Sequence, residues 1–379
     1  MDRYNPLTGR DPTSHVSPEP HHRTRFPLMA LGIFSLLVGL GTGFVRLGWE
    51  LPFLQPALLS AHGPLMVSGF LGTLIGLERA VALKYRWVYA APLLSGLGAL
   101  ALIMGLPGLP GPLLMTLGSL GLVVASVKIV SHQLTLFTVI TGLGTLVWLT
   151  GNVLWLTGWP IYHIAFWWIG FLVLTIAGER LELSRLLLLS RRIQGAFLLA
   201  GSLFLIGLIL TNITYDIGVR LAGIGMVALM SWLLLYDIAR RTVHHSGLTR
   251  FTAVCLLSGY VWLGVSGLLA LLFCGVVAGP HYDAILHSTF LGFVFAMIFG
   301  HAPIILPAII RLPVPFRLTF YVHLVLLHFS LLLRVIGDLS GWLPGRQWGG
   351  LLNVIALLLF LANTGHAVLK STGKTSHHK

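Results

Sequence analysis

Charge is the first thing this chain is short of. Only 9% of its 379 residues are Asp, Glu, Lys or Arg, 56% are hydrophobic, and the mean hydropathy is +0.89. A soluble domain carries about 25% charged residues. The deficit runs along the whole length, which excludes an ordinary soluble fold with one anchor. Acidic residues are scarcer still, 11 against 24 Lys and Arg, for a net charge of +13. In a soluble chain that excess would suggest nucleic acid; here it sits mostly in short loops and reads as topology, with no nucleic-acid partner expected. Cysteine is nearly absent. Cys255 and Cys274 share one apolar segment, and nineteen helical residues hold them roughly 28 Å apart, beyond disulfide reach. The first 25 residues lack an apolar stretch, so no cleavable signal peptide is expected.

What the chain does have is apolar length. A membrane-spanning helix needs about 20 mostly apolar residues. Twelve such spans are expected, near 27–47, 58–79, 88–107, 112–130, 134–157, 161–179, 194–213, 218–238, 252–278, 284–309, 319–338 and 347–369. The fold class is therefore all-α and polytopic: a twelve-helix domain over 26–370, with cytoplasmic tails at 1–25 and 371–379. The 44 glycines suit close helix packing. Of the 24 Lys and Arg, 20 fall in the N-terminal tail, in every second loop after it, or in the C-terminal tail. The positive-inside rule then puts both termini in the cytoplasm of a bacterial inner membrane, with lipid as the surrounding partner.

A motif recurs within these spans. His62, Gly69-Phe70-Leu71, Ile75 and Glu78-Arg79 in span 2 match His163, Gly170-Phe171-Leu172, Ile176 and Glu179-Arg180 in span 6. Span 10 repeats the frame loosely as His287, Gly292-Phe293 and Ile298, with His301 in the Glu position. Spans 2, 6 and 10 are four helices apart and run the same way, so the chain reads as three four-helix pseudo-repeats. The charge pattern puts His62, His163 and His287 near the outer boundary and the Glu-Arg pairs near the inner one.

Ionisable side chains within a bilayer are costly and usually face the bundle interior. A single histidine there reads equally well as an interfacial residue bonded to a carbonyl. Three in one frame point to a shared site, because neutral imidazole is the commonest metal ligand and suits iron and copper as well as zinc. Among His62, His163 and His287, two imidazoles from facing helices can clamp one heme, and the third could hold copper or hydrogen-bond a propionate. His287 and His301 are fourteen residues apart, roughly 21 Å along a helix and on one face at 100° per residue. His301 is thus a candidate ligand at an inner site, with His323, His328 or His366 as its possible partner. Glu78-Arg79 and Glu179-Arg180 read first as charged caps that fix membrane depth, and second as a proton entrance.

At these residues the chain distantly resembles heme–copper oxidase subunit I and is more closely similar to the NnrS-like family. The first resemblance implies twelve spans of pseudo-threefold symmetry and a low-spin heme between histidines of spans 2 and 10, where His62 and His287 stand; His163 matches a copper ligand on span 6. The second rests on the early His-to-Gly-Phe helix and on His287, Gly292 and Met297. It implies heme, of b type, with copper, in a protein linked to nitric oxide. Span 7 has no histidine, so the copper-site pair of the oxidases is missing and turnover as an oxidase or reductase is not expected. What these resemblances imply is a heme protein that responds to a diatomic gas such as nitric oxide, or that passes electrons from a donor the sequence does not identify. A different class stays open: a cofactor-free secondary transporter of a neutral or weakly charged solute, with Arg334 as its clearest mid-depth charge.

Overall fold

The computed structural model describes residues 22–51 and 56–376. Most of the two expected tails, 1–21 and 377–379, lies outside the described residues. Every regular element is helical, and no strand occurs among the described residues. Twelve helices are long and apolar enough to cross a membrane, so the chain is an all-α polytopic membrane protein. They are α1 (Arg25–Arg46), α2 (Leu58–Leu83), α3 (Arg86–Ile103), α4 (Pro110–His132), α5 (Leu136–Leu156), α6 (Ile161–Leu187), α7 (Arg191–Leu210), α8 (Tyr215–Tyr236), α9 (Gly247–Leu272), α10 (Pro280–Ile310), α11 (Phe320–Ser340) and α12 (Leu343–Ser371). Most observed ends fall within a few residues of those expected; α6 runs on to Leu187 instead of stopping at 179, and α9 starts at Gly247 and stops at Leu272 instead of spanning 252–278. Local chemistry sets several of them. Pro280 starts α10 directly after Gly279, whose φ of 87° only glycine adopts freely, and Gly341 ends α11 in the left-handed conformation.

Burial separates the helices. Of each span's apolar stretch, 61% is buried in α2, 78% in α6 and 61% in α10, against 28% in α7. The three helices that carry the repeated motif are therefore the innermost ones. Their motif glycines explain how. A Cβ on Gly69 would stand 2.9 Å from Ala99 of α3 and closer still to Ser35 of α1. On Gly170 it would meet Leu208 of α7 and Val147 of α5, and on Gly292 the indole of Trp262 on α9. Each motif glycine thus marks where a central helix lets its outer neighbours approach, and no side chain other than hydrogen fits. The phenylalanines that follow, Phe70, Phe171 and Phe293, are buried.

A buried polar knot ties α2, α4, α5 and α6 together. Asn152 Oδ1 on α5 accepts from Trp168 Nε1 of α6 at 3.0 Å and from Ser68 Oγ of α2 at 3.2 Å. Ser68 in turn accepts from Trp148 Nε1 at 3.1 Å, and Asn152 Nδ2 donates to the carbonyl of Met115 on α4 at 3.4 Å. In hydrocarbon these groups have no water to fall back on, so the knot fixes the relative rotation of four helices.

Candidate functional site

His62 and His287 enter the bundle through unusual local structure. His62 follows a 3-10 stretch, Pro56–Ala61, and begins an α segment of only three residues, after which Leu65–Leu71 is π-helical. His287 is the last residue of an α segment, Pro280–His287, and Ser288–Phe295 after it is again π-helical. The wider i→i+5 turn keeps every backbone group paired while shifting the phase of what precedes it, and such turns concentrate at functional sites. The matching helix of the second repeat shows no such turn: Ile161–Ser184 is unbroken α-helix. Phe70 and Phe295, one in each π segment, stack at 5.8 Å, so α2 and α10 meet directly below the two histidines.

The imidazoles face one another with ring centres 6.4 Å apart and planes 28° from parallel. Both Nδ1 atoms are engaged. That of His62 lies 2.9 Å from the carbonyl of Gly39 and 3.2 Å from Thr42 Oγ1, both on α1. That of His287 lies 3.0 Å from the carbonyl of Asp283 and 3.2 Å from its carboxylate Oδ1. Neither Nε2 makes a hydrogen bond among the described residues. Two rings whose Nδ1–H is spent on an acceptor keep Nε2 as a lone-pair donor, the tautomer that metal-binding histidines adopt.

Both rings line a cavity of about 440 Å3 formed by α1, α2, α6, α10, α11 and α12. Small-molecule and cofactor sites run about 300–1,000 Å3. Its walls are mostly apolar, with Trp168 and Phe295 among them, and Arg46, Arg334 and Arg346 bring positive charge to it. Two of the arginines are balanced. Arg334 donates to Asp283 Oδ2 through Nε at 3.0 Å and a terminal nitrogen at 2.8 Å, and Arg346 Nε stands 2.9 Å from Asp338 Oδ1.

The fit to heme can be tested on distance. A metal bonded to both Nε2 atoms would sit about 2.0 Å from each, and the ring-centre separation of 6.4 Å leaves room for it. Arg46, which pairs with no carboxylate among the described residues, suits a carboxylate substituent, and the apolar walls suit a macrocycle. The residues present fit the group.

The other candidates are not gathered here. His163 is absent from the cavity lining; it packs against Trp159, Tyr162 and Tyr215, with ring centres 5.2, 4.5 and 5.1 Å away. Only its neighbour Tyr162 reaches the cavity. His301 lies one helical stretch away, its Nδ1 2.7 Å from the carbonyl of Met297. The π segment between His287 and His301 turns less per residue than an α-helix, so the same-face relation expected from 100° per residue does not carry over. His323 sits among Phe299, Phe320 and Phe360 with its Nδ1 on Asn363, and His328 is held between Trp262 and Ser258. No group of three or more His, Cys, Asp or Glu side chains is placed to hold a metal ion among the described residues.

At the other end of the bundle the Glu-Arg pairs meet. Arg79 of the first repeat forms an ion pair with Glu179 of the second. Beside them Asp237, just past the end of α8, is buried; it accepts from the Ala239 amide at 2.7 Å and from Ser184 at 3.4 Å. Burial pushes its carboxyl up from the ordinary value, against the opposing pull of Arg180.

Sequence reasoning overlooked Asp283, Thr42, Arg46 and Arg346. Only Asp283 left a signal, since a residue four before a histidine shares its helix face. The rest are brought in by tertiary packing. No curated protein and no solved structure matches this chain. A family model described as Domain of unknown function (DUF8744) does match, over residues 25–369, and the chain belongs to that family.

Proposed function

We propose that this protein binds one b-type heme between His62 and His287 and works as a membrane electron carrier or nitric oxide-responsive protein of the bacterial inner membrane, with both termini cytoplasmic. The single observation that carries the reading is the ring separation of 6.4 Å with both Nδ1 atoms spent on acceptors. The charge-poor loops at this end of the bundle support an outward-facing site.

Bound heme would supply one-electron chemistry and an iron able to take a diatomic ligand. The chain's own residues do the rest. His62 and His287 hold the metal from two helices, so the ligand geometry depends on the α2–α10 contact. Arg46 would receive a carboxylate at the polar side of the cavity, while Trp168 and Phe295 would exclude water from its apolar side. With both imidazoles engaged, electron transfer is the favoured activity; a response to nitric oxide requires one histidine to withdraw. A copper ion would need a third ligand that His163, packed among aromatic rings, does not supply at this pair.

The test is a spectrum. Full-length protein purified from a heme-competent host should show a Soret band that sharpens and shifts on dithionite reduction. His62→Ala and His287→Ala should each lose the wild-type band position and shape while still eluting as folded protein. A colourless preparation after hemin supplementation refutes the reading, and the same cavity would then be assigned to an exchangeable solute of a transporter.

A further inference from the structure

The two histidines are not equivalent in what stands behind them. His287 Nδ1 faces an anion: Asp283 Oδ1 at 3.2 Å, with the Asp283 carbonyl at 3.0 Å. That carboxylate is itself fixed from its other edge, where Arg334 binds Oδ2 through two nitrogens at 3.0 and 2.8 Å. His62 Nδ1 faces only neutral acceptors, the Gly39 carbonyl and the Thr42 hydroxyl. The Thr42 hydroxyl donates to that same carbonyl at 2.8 Å, so the two donors share one oxygen. Hydrogen bonds to charged acceptors are roughly twice as strong as neutral ones, and an anion on Nδ1–H raises the basicity of the opposite nitrogen.

The backbones differ in the same direction. His287 closes an eight-residue α segment and is anchored to its own preceding turn. His62 lies between a 3-10 stretch and a π segment and is anchored to a different helix. Any relative shift of α1 and α2 loosens His62 and leaves His287 in place.

We propose that His287 is the retained ligand and His62 the one that yields to an incoming diatomic molecule, with Asp283 and Arg334 as positioning residues for His287. This rests on the heme reading above. In the exchange His62 Nε2 withdraws its lone pair from the metal and the incoming molecule donates one in its place; no electron is gained or lost, and the released Nε2 remains in the cavity as a base.

The probes, on the full-length chain, are hemin and, after reduction with dithionite, carbon monoxide. Asp283→Asn should weaken hemin binding roughly 10–100-fold, the usual effect of losing a partner behind a metal-bound histidine, and should lower the iron–imidazole stretching frequency seen after photolysis of the carbonmonoxy form. Asp283→Glu should restore part of both. Thr42→Val should leave that frequency unchanged and speed carbon monoxide binding, because it frees the residue that departs. As a check that does not rely on Asp283 variants folding, His62→Gly should stay pigmented and bind carbon monoxide fast, whereas His287→Gly should need added imidazole to hold hemin. The assignment is overturned if Thr42→Val shifts the frequency and Asp283→Asn does not, or if the two glycine variants behave alike. A wild-type protein that never takes up hemin fails the heme reading and this ranking together; a pigmented wild type with equivalent variants fails the ranking alone.

Discussion

Replacing Gly43 by alanine would put a methyl carbon 2.8 Å from Cε1 of His62 and 3.2 Å from its Nδ1. Carbon atoms in contact ordinarily stand about 3.5–4.0 Å apart, so the ring would have to retreat by roughly 0.7 Å. A binding constellation tolerates about 0.5 Å of displacement. The His62–Gly39 hydrogen bond lies in the path of that retreat. Overpacking of this kind costs about 1–3 kcal/mol, and alanine in place of glycine within a helix returns about 0.8–1.0 kcal/mol. The net expectation is a protein up to about 2 kcal/mol less stable, with a lowered heme content and a perturbed Soret band. Gly201 on α7 is the control: a Cβ there meets nothing within 4 Å, so Gly201→Ala should keep its pigment and hold or gain stability. The assay is heme-to-protein ratio and thermal unfolding of both variants in one detergent. A Gly43→Ala protein with wild-type pigment and stability would show that the ring's position against α1 is not a constraint on the site.

Two further outcomes follow from the packing and charge. Asn152→Leu strands the Trp168 indole and the Ser68 hydroxyl, and each buried donor without a partner costs about 1–3 kcal/mol; a large fall in thermal midpoint is expected, and an unchanged midpoint would remove the knot from the account of helix rotation. Asp237 carries a folded-state pKa above its ordinary 3.8, so the folded chain binds more protons than the unfolded one in the interval above that value, and stability falls as pH rises through it. Asp237→Asn should abolish that component of the pH dependence in detergent melts, and a variant whose profile matches wild type would assign the effect elsewhere.

The spans and their burial were legible because each depends on composition along one helix. Twelve apolar runs require twelve crossings, and a motif returning every fourth span marked α2, α6 and α10, which are the most enclosed helices. The repeated Gly-Phe was legible as a signature though not as a packing device, since its neighbours lie far off in sequence. The trio His62, His163 and His287 came from the same periodicity, and the choice of His62 with His287 from the resemblance to heme–copper oxidase subunit I. The separation of His163 from that pair did not: its sequence frame equals that of His62, and the difference lies in the π turns that follow His62 and His287. Nothing in residue type announces an i→i+5 turn. The π segment between His287 and His301 likewise alters the phase between them, which a count at 100° per residue does not include. Arg346, in the first turn of α12, lines the cavity beside Asp338, a placement that depends on which helices meet. The Glu-Arg caps were read one helix at a time, and their cross-repeat ion pair depends on which helices meet.

Each π segment amounts to one surplus residue in a helix. Deleting a single position between Leu65 and Leu71 would let the ladder close into the tighter α form, and everything N-terminal to the deletion would rotate by about 100°, carrying His62 away from its partner. The aim of the imidazole is therefore written as a residue count instead of a residue identity. Apart from Ser68 and Gly69, whose packing fixes their identity, side-chain changes in this stretch leave that count intact, while a single codon lost or gained would disarm the helix at once.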